Sequence, residues 1–259
     1  MASFTSALRS EWTKLASLRS TWIYAMLLSG SMFGPVILMG MLADSGTMLD
    51  WTMLTIGTMI FAMIAIAFAG ATLAGEYNDQ MHAHAFLTQD RRSLWLVARG
   101  LLTVVFLALC WVFGVGVAYL ATAISPRVSF IGGSFDDFIS AILNFGVFSV
   151  IAMSLGVLTR SRVAAVAVPL VWLLVVEKLL VLATSATAFA LPFWLAAPGE
   201  RISQLAPQLV SGVADPEAPG IGYNPDTSQP VWFNAIVLVA WVVVAIAAAH
   251  FVNAKRDVK

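Results

Sequence analysis

The sequence predicts an all-α integral membrane protein with six transmembrane helices, an N-terminal amphipathic interfacial helix and an extracellular re-entrant segment between spans five and six. Of its 259 residues, 60% are hydrophobic and 11% are charged, whereas a soluble domain carries about 25% charged residues. Several uncharged runs reach the roughly 20 residues that cross a bilayer. The basic residues also collect on one predicted side of these runs, as in membrane proteins.

Uncharged runs define the spans, and we expect one transmembrane domain over residues 1–259. The run at Val163–Ala197 is interrupted by Glu177–Lys178 and leaves two possibilities, one span with a partial re-entry or two spans. We place a single span here. The six predicted spans are 21–42, 52–74, 95–120, 138–158, 163–185 and 231–252.

The distribution of Lys and Arg orients these spans. With six spans and both termini in the cytoplasm, eleven basic residues lie inside and only Arg127, Lys178 and Arg201 lie outside. A seventh span would move Lys255, Arg256 and Lys259 outside and remove the asymmetry. The positive-inside rule therefore favours six spans in the cell membrane with both ends cytoplasmic.

Residues 1–20 are expected to form the interfacial helix. Large apolar side chains recur there at spacings of three and four, from Phe4 to Trp22, which is typical of a helix lying in the plane of the interface. Glu11 projects into the apolar arc, where a carboxylate requires a partner. Lys14, Arg91 or Arg92, or a group on another protein, would serve.

Residues 186–230 form the predicted extracellular re-entrant and loop region. The stretch from residue 198 to residue 230 holds six of the ten prolines and four acidic residues, a composition that suits an outer loop. Before it, Glu177 and Lys178 are predicted to form an outer-leaflet polar pair. Adjacent residues on a helix do not face each other, so at least one should find a partner in the bundle, unless both extend to the interface.

The polar segment GEYNDQMHAHAFLTQDRR separates two strongly apolar runs, and residues 75–94 are predicted to be a cytoplasmic coupling loop. A few large anchors among polar groups are typical of a docking surface. A plain solvated connector is the alternative. If the segment docks a partner, the contacting residues are Glu76, Tyr77, Asp79, Met81, His82, Phe86, Arg91 and Arg92, together with Glu11.

Other chemistry receives little support from the sequence. His82 and His84 are two residues apart and point to different sides of a helix, so no metal site is expected. The zero formal net charge gives no indication of nucleic-acid binding. No G-x-x-x-x-G-K-[ST] phosphate loop occurs in the sequence, so we expect neither catalysis nor a bound cofactor in this chain.

Three stretches resemble the permease subunit of type-2 ABC transporters. LRSEWTKLASLRSTW resembles that family's amphipathic first helix, with an acidic residue between basic ones. GEYNDQMHAHAFLTQDRRSLWLVARG resembles its first cytoplasmic loop, with Glu76, Arg91 or Arg92, and Arg99 at the charged positions. FVNAKRDVK resembles its short basic tail. The sequence departs from the family at Gln80–Met81, where Gly–Thr is common, and at Gln89, where Pro is common.

The resemblance implies an ABC exporter in which this chain pairs with a second permease subunit, identical or different, and docks onto a cytoplasmic ATPase, normally in two copies. ATP and Mg would bind the ATPase. The expected function is export of a hydrophobic or amphipathic substrate, such as a drug, lipid or peptide-like molecule, from within membrane lipid. The alternatives are a membrane anchor or regulatory module without transport, or a secondary carrier or channel, for which the spans offer few polar groups.

Overall fold

The computed structural model describes residues 4–44, 46–79, 92–132, 135–186, 191–211 and 229–255. Among these residues, six helical stretches are long and apolar enough to cross a membrane. The prediction of a multi-pass membrane protein with six spans is therefore confirmed at the level of fold. The six stretches are Arg19–Leu42, Trp51–Asn78, Trp95–Ile124, Asp136–Thr159, Arg162–Ala183 and Val231–Asn253.

The chain forms eleven α-helices and two short strands within the described residues. The first half contains α1 (Phe4–Ser17), α2 (Arg19–Leu42), β1 (Thr47–Asp50), α3 (Trp51–Leu54), α4 (Thr58–Asn78), α5 (Arg92–Ile124) and β2 (Val128–Gly132). The second half contains α6 (Asp136–Thr159), α7 (Arg162–Val171), a π-helical turn (Trp172–Val176), α8 (Glu177–Ala186), α9 (Leu191–Ala196), α10 (Pro198–Ser211) and α11 (Val231–Lys255).

Helices α4 and α6 form the centre of the bundle. In the most apolar 18-residue stretch of each of these two spans, 56% is buried inside the protein. The corresponding share is 17% for the span formed by α7–α8 and for the span of α11. Helix α4 packs against α6, α7 and α2, while α6 also contacts α11 and α10. The core between them is apolar and includes Phe61, Phe68, Phe145, Phe148 and Ile66. The remaining spans surround this pair and leave apolar side chains exposed to lipid.

Glycine permits the closest helix contacts. A Cβ atom added to Gly70 of α4 would lie 2.6 Å from the carbonyl oxygen of Ala165 in α7. A Cβ atom on Gly114 of α5 would lie 2.8 Å from the Cβ of Met32 in α2. Small residues at such positions let backbones approach in the way that is typical of membrane helix packing.

The bundle is consistent with the predicted all-α membrane protein, and a small parallel sheet is added at one end of it. β1 pairs with β2 in the register Thr47↔Val128 to Leu49↔Phe130, with an irregularity before Asp50. Parallel strands require a crossover connection, and here the crossover consists of spans α4 and α5. The strands are four and five residues long, too short for a periodic signal, and their pairing depends on residues about 80 positions apart.

The bundle thus has two distinguishable ends. We call the end with β1 and β2 the sheet end. At the opposite end α1 packs on α5, and the Tyr77 hydroxyl donates a hydrogen bond of 2.8 Å to Oδ1 of Asn253, near the end of α11. We call this the termini end. Both ends of the described chain therefore lie at this end of the bundle, as an even number of spans requires.

The segment between spans two and three differs from the predicted bounds. Helix α4 continues through Gly75 to Asn78, and α5 begins at Arg92. Gly75 lies within this helix, and the Arg162 guanidinium packs against it. A Cβ atom at Gly75 would lie 3.0 Å from that guanidinium. The connection is therefore shorter than the predicted 75–94, and residues 80–91 lie outside the described part of the chain.

The fifth span is one helical stretch that changes its hydrogen-bonding pattern midway. Pro169 lies inside α7, and the π-helical turn follows it directly. Beyond α8, the predicted loop region contains α9 and α10, and α10 packs against α6 and α11 at the sheet end. Residues 187–190 and 212–228 of that region lie outside the described ranges.

The six-span arrangement predicts that Lys255→Cys and Ser6→Cys react with a maleimide from the same side of the membrane, and Met48→Cys from the other. All three positions are exposed, and the buried Cys110 would first be replaced by alanine. If both termini are cytoplasmic, as the charge distribution predicts, an impermeant maleimide added to intact cells should label only Met48→Cys. Labelling of Lys255→Cys and Met48→Cys from one side would contradict six spans.

Close packing at Gly70 predicts that Gly70→Ala lowers the unfolding free energy by about 1–3 kcal/mol, because α4 and α7 must separate. Gly146→Ala is the matched control, since a Cβ at Gly146 in α6 meets nothing within 4 Å. Thermal unfolding in one detergent compares the two variants. Equal stability of Gly70→Ala and Gly146→Ala would show that α4 and α7 are not in close contact.

Candidate functional site

Four charged side chains converge at the termini end, and we call them the charged cluster: Glu11, Lys14, Glu76 and Arg99. Glu11 and Lys14 lie on α1, Glu76 lies in the last turn of α4, and Arg99 is the eighth residue of α5. The protein-facing side of α1 carries Glu11 between the buried Ala7 and Leu15. Its carboxylate therefore points into the bundle because the apolar residues on the same face are packed there.

Arg99 joins the two carboxylates. Its Nη2 lies 3.1 Å from Oε1 of Glu76, and its Nη1 lies 3.7 Å from Oε2 of Glu11. Lys14 approaches from the other side, with Nζ 2.6 Å from Oε1 of Glu11 and 3.8 Å from Oε2 of Glu76. The indole N–H of Trp95 donates a hydrogen bond of 3.0 Å to Oε1 of Glu11. Of the partners that the sequence left open for Glu11, the structure places Lys14 beside it, and Arg99 is a second cation there.

Burial makes this cluster energetically demanding. Glu11, Arg99 and Glu76 retain only 1%, 2% and 5% of their surface exposure, and each buried ion costs several kcal/mol before its partners are counted. Two carboxylates face two cations, so the cluster is neutral. Removing Arg99 would leave the buried carboxylates without their buried cation, which is the expensive case, whereas the Lys14 side chain is 32% exposed.

A second group of contacts extends the cluster to the far side of the bundle. The Tyr77 ring meets Trp95 edge-on with centroids 5.8 Å apart, and the Arg160 guanidinium lies 5.8 Å above the Tyr77 ring. Tyr77 also bonds to Asn253 of α11. The last turn of α4 is thus connected to α5, to the α6–α7 turn and to α11 through one aromatic side chain.

Asp79 fixes the point where the chain leaves α4. One carboxylate oxygen lies 2.8 Å from Nη2 of Arg162, at the start of α7, and both side chains are about half exposed. Arg160 takes a left-handed backbone conformation, with φ of 53°, and it ends α6. Ser161 then caps α7 by accepting the N–H of Ala164. This tight turn places Arg162 beside α4.

The structure shows where five of the predicted contact residues lie. Glu76, Tyr77 and Glu11 are buried and bonded to other parts of the same chain, so in this structure they support the segment and do not present a surface to a partner. Asp79 is exposed but paired with Arg162. Arg92 begins α5, and four of the predicted contact residues lie outside the described part of the chain: Met81, His82, Phe86 and Arg91.

Sequence reasoning missed three members of this site: Trp95 and Asn253 altogether, and Arg99 as the partner of Glu11. Trp95 and Arg99 are four residues apart and so share one face of α5, a signal available in the sequence. Asn253 gave no such signal, because its contact with Tyr77 joins residues 176 positions apart.

The predicted polar pair at the sheet end separates into two different environments. Glu177 is buried and accepts a 2.8 Å hydrogen bond from the N–H of Gly199 at the start of α10, whereas Lys178 is exposed. Glu177 thus has a hydrogen-bond donor within the bundle, and Lys178 extends to the surface.

A further polar network lies beside Glu177, between α10 and α11. Arg201 is 2% exposed, and its Nη1 donates to Oε1 of Gln204 at 3.1 Å and to Oδ1 of Asn234 at 3.2 Å. Burial lowers the pKa of Arg201, while the neighbouring carboxylates of Glu200 and Glu177 oppose that change. Sequence analysis treated Arg201 as a residue of an outer loop, and the structure instead places it inside the fold.

Comparisons with known proteins identify no relative: no protein-family model matches this sequence, and no curated protein matches it significantly. Within the described residues, no group of three or more His, Cys, Asp or Glu side chains could hold a metal ion. His82 and His84 fall outside those residues. The charged cluster is therefore interpreted from its own geometry.

The charged cluster predicts that Arg99→Met lowers the unfolding free energy by about 3–5 kcal/mol, because Glu11 and Glu76 would lose their shared cation. The matched control is Arg162→Gln, which removes an exposed arginine–carboxylate pair and should cost less than about 1 kcal/mol. Thermal unfolding in detergent measures both. If Arg99→Met is no less stable than Arg162→Gln, the cluster does not hold the termini end together.

Proposed function

We propose that this chain is the membrane-spanning subunit of an ATP-driven ABC exporter, located in the cell membrane with both termini cytoplasmic. It moves a hydrophobic or amphipathic substrate, such as a drug, a lipid or a peptide-like molecule, out of the cell. A separate cytoplasmic ATPase, in two copies, binds ATP and Mg, and a second permease subunit completes the pathway. In this proposal α1 lies in the interface and the chain between spans five and six re-enters the outer leaflet.

One observation carries the proposal. The resemblance to ABC permeases rests on charged positions in separate stretches, and the acidic residue of the first helix, the acidic residue after span two and the basic residue at the start of span three meet in one cluster. They are Glu11, Glu76 and Arg99, joined within 3.7 Å. If each stretch resembled the family only by chance, there would be no reason for these three residues, which are far apart in the sequence, to lie together.

The cluster also suggests how a movement of the ATPase would be transmitted to the transmembrane helices. It bonds the end of α4 to the start of α5 and both to α1, and Asp79 adds the start of α7. A force on residues 80–91 would therefore act on four helices together. A chain without a phosphate loop needs such a contact, because the energy of ATP hydrolysis must come from another protein.

The substrate class is inferred from the spans. Their interior is apolar, and in the described spans only three buried side chains are ionic, Glu76, Arg99 and Glu177. Proton and ion carriers place ionisable groups along the path through the membrane. A hydrophobic or amphipathic cargo fits this distribution better than a small ion.

If the predicted coupling loop docks the ATPase, Met81→Ala combined with Phe86→Ala should weaken that association by more than about 30-fold, because truncating even one apolar anchor costs about 2 kcal/mol. The control is Met48→Ala combined with Phe135→Ala, which truncates exposed residues of the same types at the sheet end. Tagged full-length chains, solubilised from native membranes, are compared for recovery of a phosphate-loop ATPase and for its hydrolysis rate.

Three results decide between the functions. Recovery of the ATPase with the wild type and the control, but not with the Met81/Phe86 variant, supports docking through this segment. Absence of any phosphate-loop ATPase from the wild-type complex contradicts the proposed function. Recovery of the ATPase without ATP-dependent efflux of a hydrophobic dye from vesicles containing the purified complex would favour the anchor or regulatory module.

A further inference from the structure

A groove opens at the sheet end, where the last turns of α2 and α5 meet β2. Its volume is about 490 Å³, within the range of about 300–1,000 Å³ that is usual for small-molecule sites. Most of the residues that line it are apolar, among them Val36, Ile37, Met41, Ala121, Ile124 and Val128. Gly40, Ser125 and Arg127 also line it. The groove therefore combines an apolar surface with one cationic side chain.

Short contacts hold the polar residues of the groove beside the end of α2. Nη1 of Arg127 donates a hydrogen bond of 2.9 Å to the carbonyl oxygen of Met41. A Cβ atom at Gly40 would lie 3.7 Å from Oγ of Ser125 and 3.6 Å from Cγ2 of Val128. Arg127, Ser125 and the end of α2 therefore form one continuous part of the groove.

Arg127 carries a positive charge that no described carboxylate neutralises. Its side chain is exposed, and it takes part in none of the ion pairs among the described residues. A guanidinium group has five N–H donors, and within the described ranges the bond to Met41 occupies one of them. That bond satisfies a carbonyl group at the end of α2 and leaves the other donors for an anion.

Ser125 adds a second donor to the same part of the groove. Its hydroxyl oxygen accepts the backbone N–H of Arg127 at 3.4 Å, so the hydroxyl proton remains for another acceptor. The side chain is partly exposed. An arginine fork together with a hydroxyl is a donor set that suits the oxygens of a phosphate group.

The position of the groove along the spans selects the kind of phosphate compound. The spans of α2 and α5 end at Leu42 and Ile124, so Arg127 lies three residues beyond the second of these ends, at the level of the lipid headgroups. The apolar lining belongs mainly to the last turns of the two spans, where Met41 and Ile124 are exposed and would meet hydrocarbon. A ligand that fits both parts has a phosphate group at the headgroup level and an alkyl chain below it.

We propose that this groove binds one phospholipid, with its phosphate group on the Arg127 guanidinium and the Ser125 hydroxyl and one acyl chain between α2 and α5. Free phosphate would not use the apolar part of the groove, and a neutral lipid would not use Arg127. The proposal does not depend on transport or on an ATPase.

Binding is measured by native mass spectrometry of the purified, delipidated full-length chain in a nonionic detergent, titrated with dioleoylphosphatidylcholine. This lipid has no net charge, so the basic residues of the termini end should not retain it by charge alone. We expect saturable binding of one lipid that weakens about tenfold or more in Arg127→Gln. Arg127→Lys keeps the charge but loses the planar fork, and it should bind with intermediate affinity. Lys178→Gln removes another exposed cation at the same end and should bind like the wild type.

A second variant tests the acyl chain without changing the charge. Gly40→Leu places a side chain in the groove, and the contacts of a Cβ atom there are ordinary van der Waals distances, so the fold should be retained and thermal unfolding should be unchanged. We expect Gly40→Leu to weaken phosphatidylcholine binding about tenfold. Dioleoylglycerol, which has the chains without the phosphate, should bind the wild type and Arg127→Gln equally weakly. Glycerophosphocholine, which has the phosphate without the chains, should not displace the lipid.

The proposal is overturned if the wild type retains no phosphatidylcholine, or if Arg127→Gln and Gly40→Leu retain it as tightly as the wild type. An equal loss of binding in Lys178→Gln and Arg127→Gln would also overturn it, because binding would then depend on the charge of the surface and not on this groove. Displacement of the lipid by equimolar glycerophosphocholine would show that the site recognises the headgroup alone, which contradicts a phospholipid held by its chain.

Discussion

Arg99 has to neutralise two carboxylates that come from different helices, and the arrangement of the termini end depends on this balance of charge. Glu11 and Glu76 are buried beside each other, so without Arg99 and Lys14 their carboxylates would repel with little water to screen them. The cluster is stable only when α1 lies on α5 with its Glu11 face inward and when α4 ends next to the start of α5. Packing and charge thus impose the same geometry.

The two ends of the bundle are held by different interactions. At the termini end, ion pairs surround the aromatic contact of Tyr77 with Trp95. At the sheet end, Trp51 packs against the rings of Tyr119, Phe130 and Phe138, and the strands β1 and β2 join two loops. The sheet end also contains a network of amide side chains and a polar cavity. Each end therefore has a cavity, and the one at the termini end, of about 360 Å³, is lined mainly by apolar residues such as Leu73, Leu96 and Ala249.

Burial changes how the predicted contact residues should be interpreted. Glu76 and Tyr77 are buried just before the chain leaves α4. A functional defect after their substitution would therefore reflect the loss of contacts within this chain and not the loss of a contact with a partner. Asp79 is the described residue at which the chain reaches the surface, and its pairing with Arg162 holds this exit point beside α7. Residues 80–91 follow this exit point directly. A partner bound to them would therefore act on the end of α4, which forms ion pairs with α1, α5 and α7.

The sequence by itself determined the class of the protein, the six spans and the need for a partner at Glu11, because long uncharged runs and an isolated carboxylate on an apolar face have few physical solutions. It did not determine that Arg99 would be a second partner of Glu11, that α4 would pass through Gly75, or that two short segments would pair as strands. Those outcomes depend on contacts between residues about 80 or more positions apart. Only the packed bundle decides these outcomes. The free energy of burying a charge depends on which helices pack together, and so does the free energy of bringing two backbones into contact at a glycine.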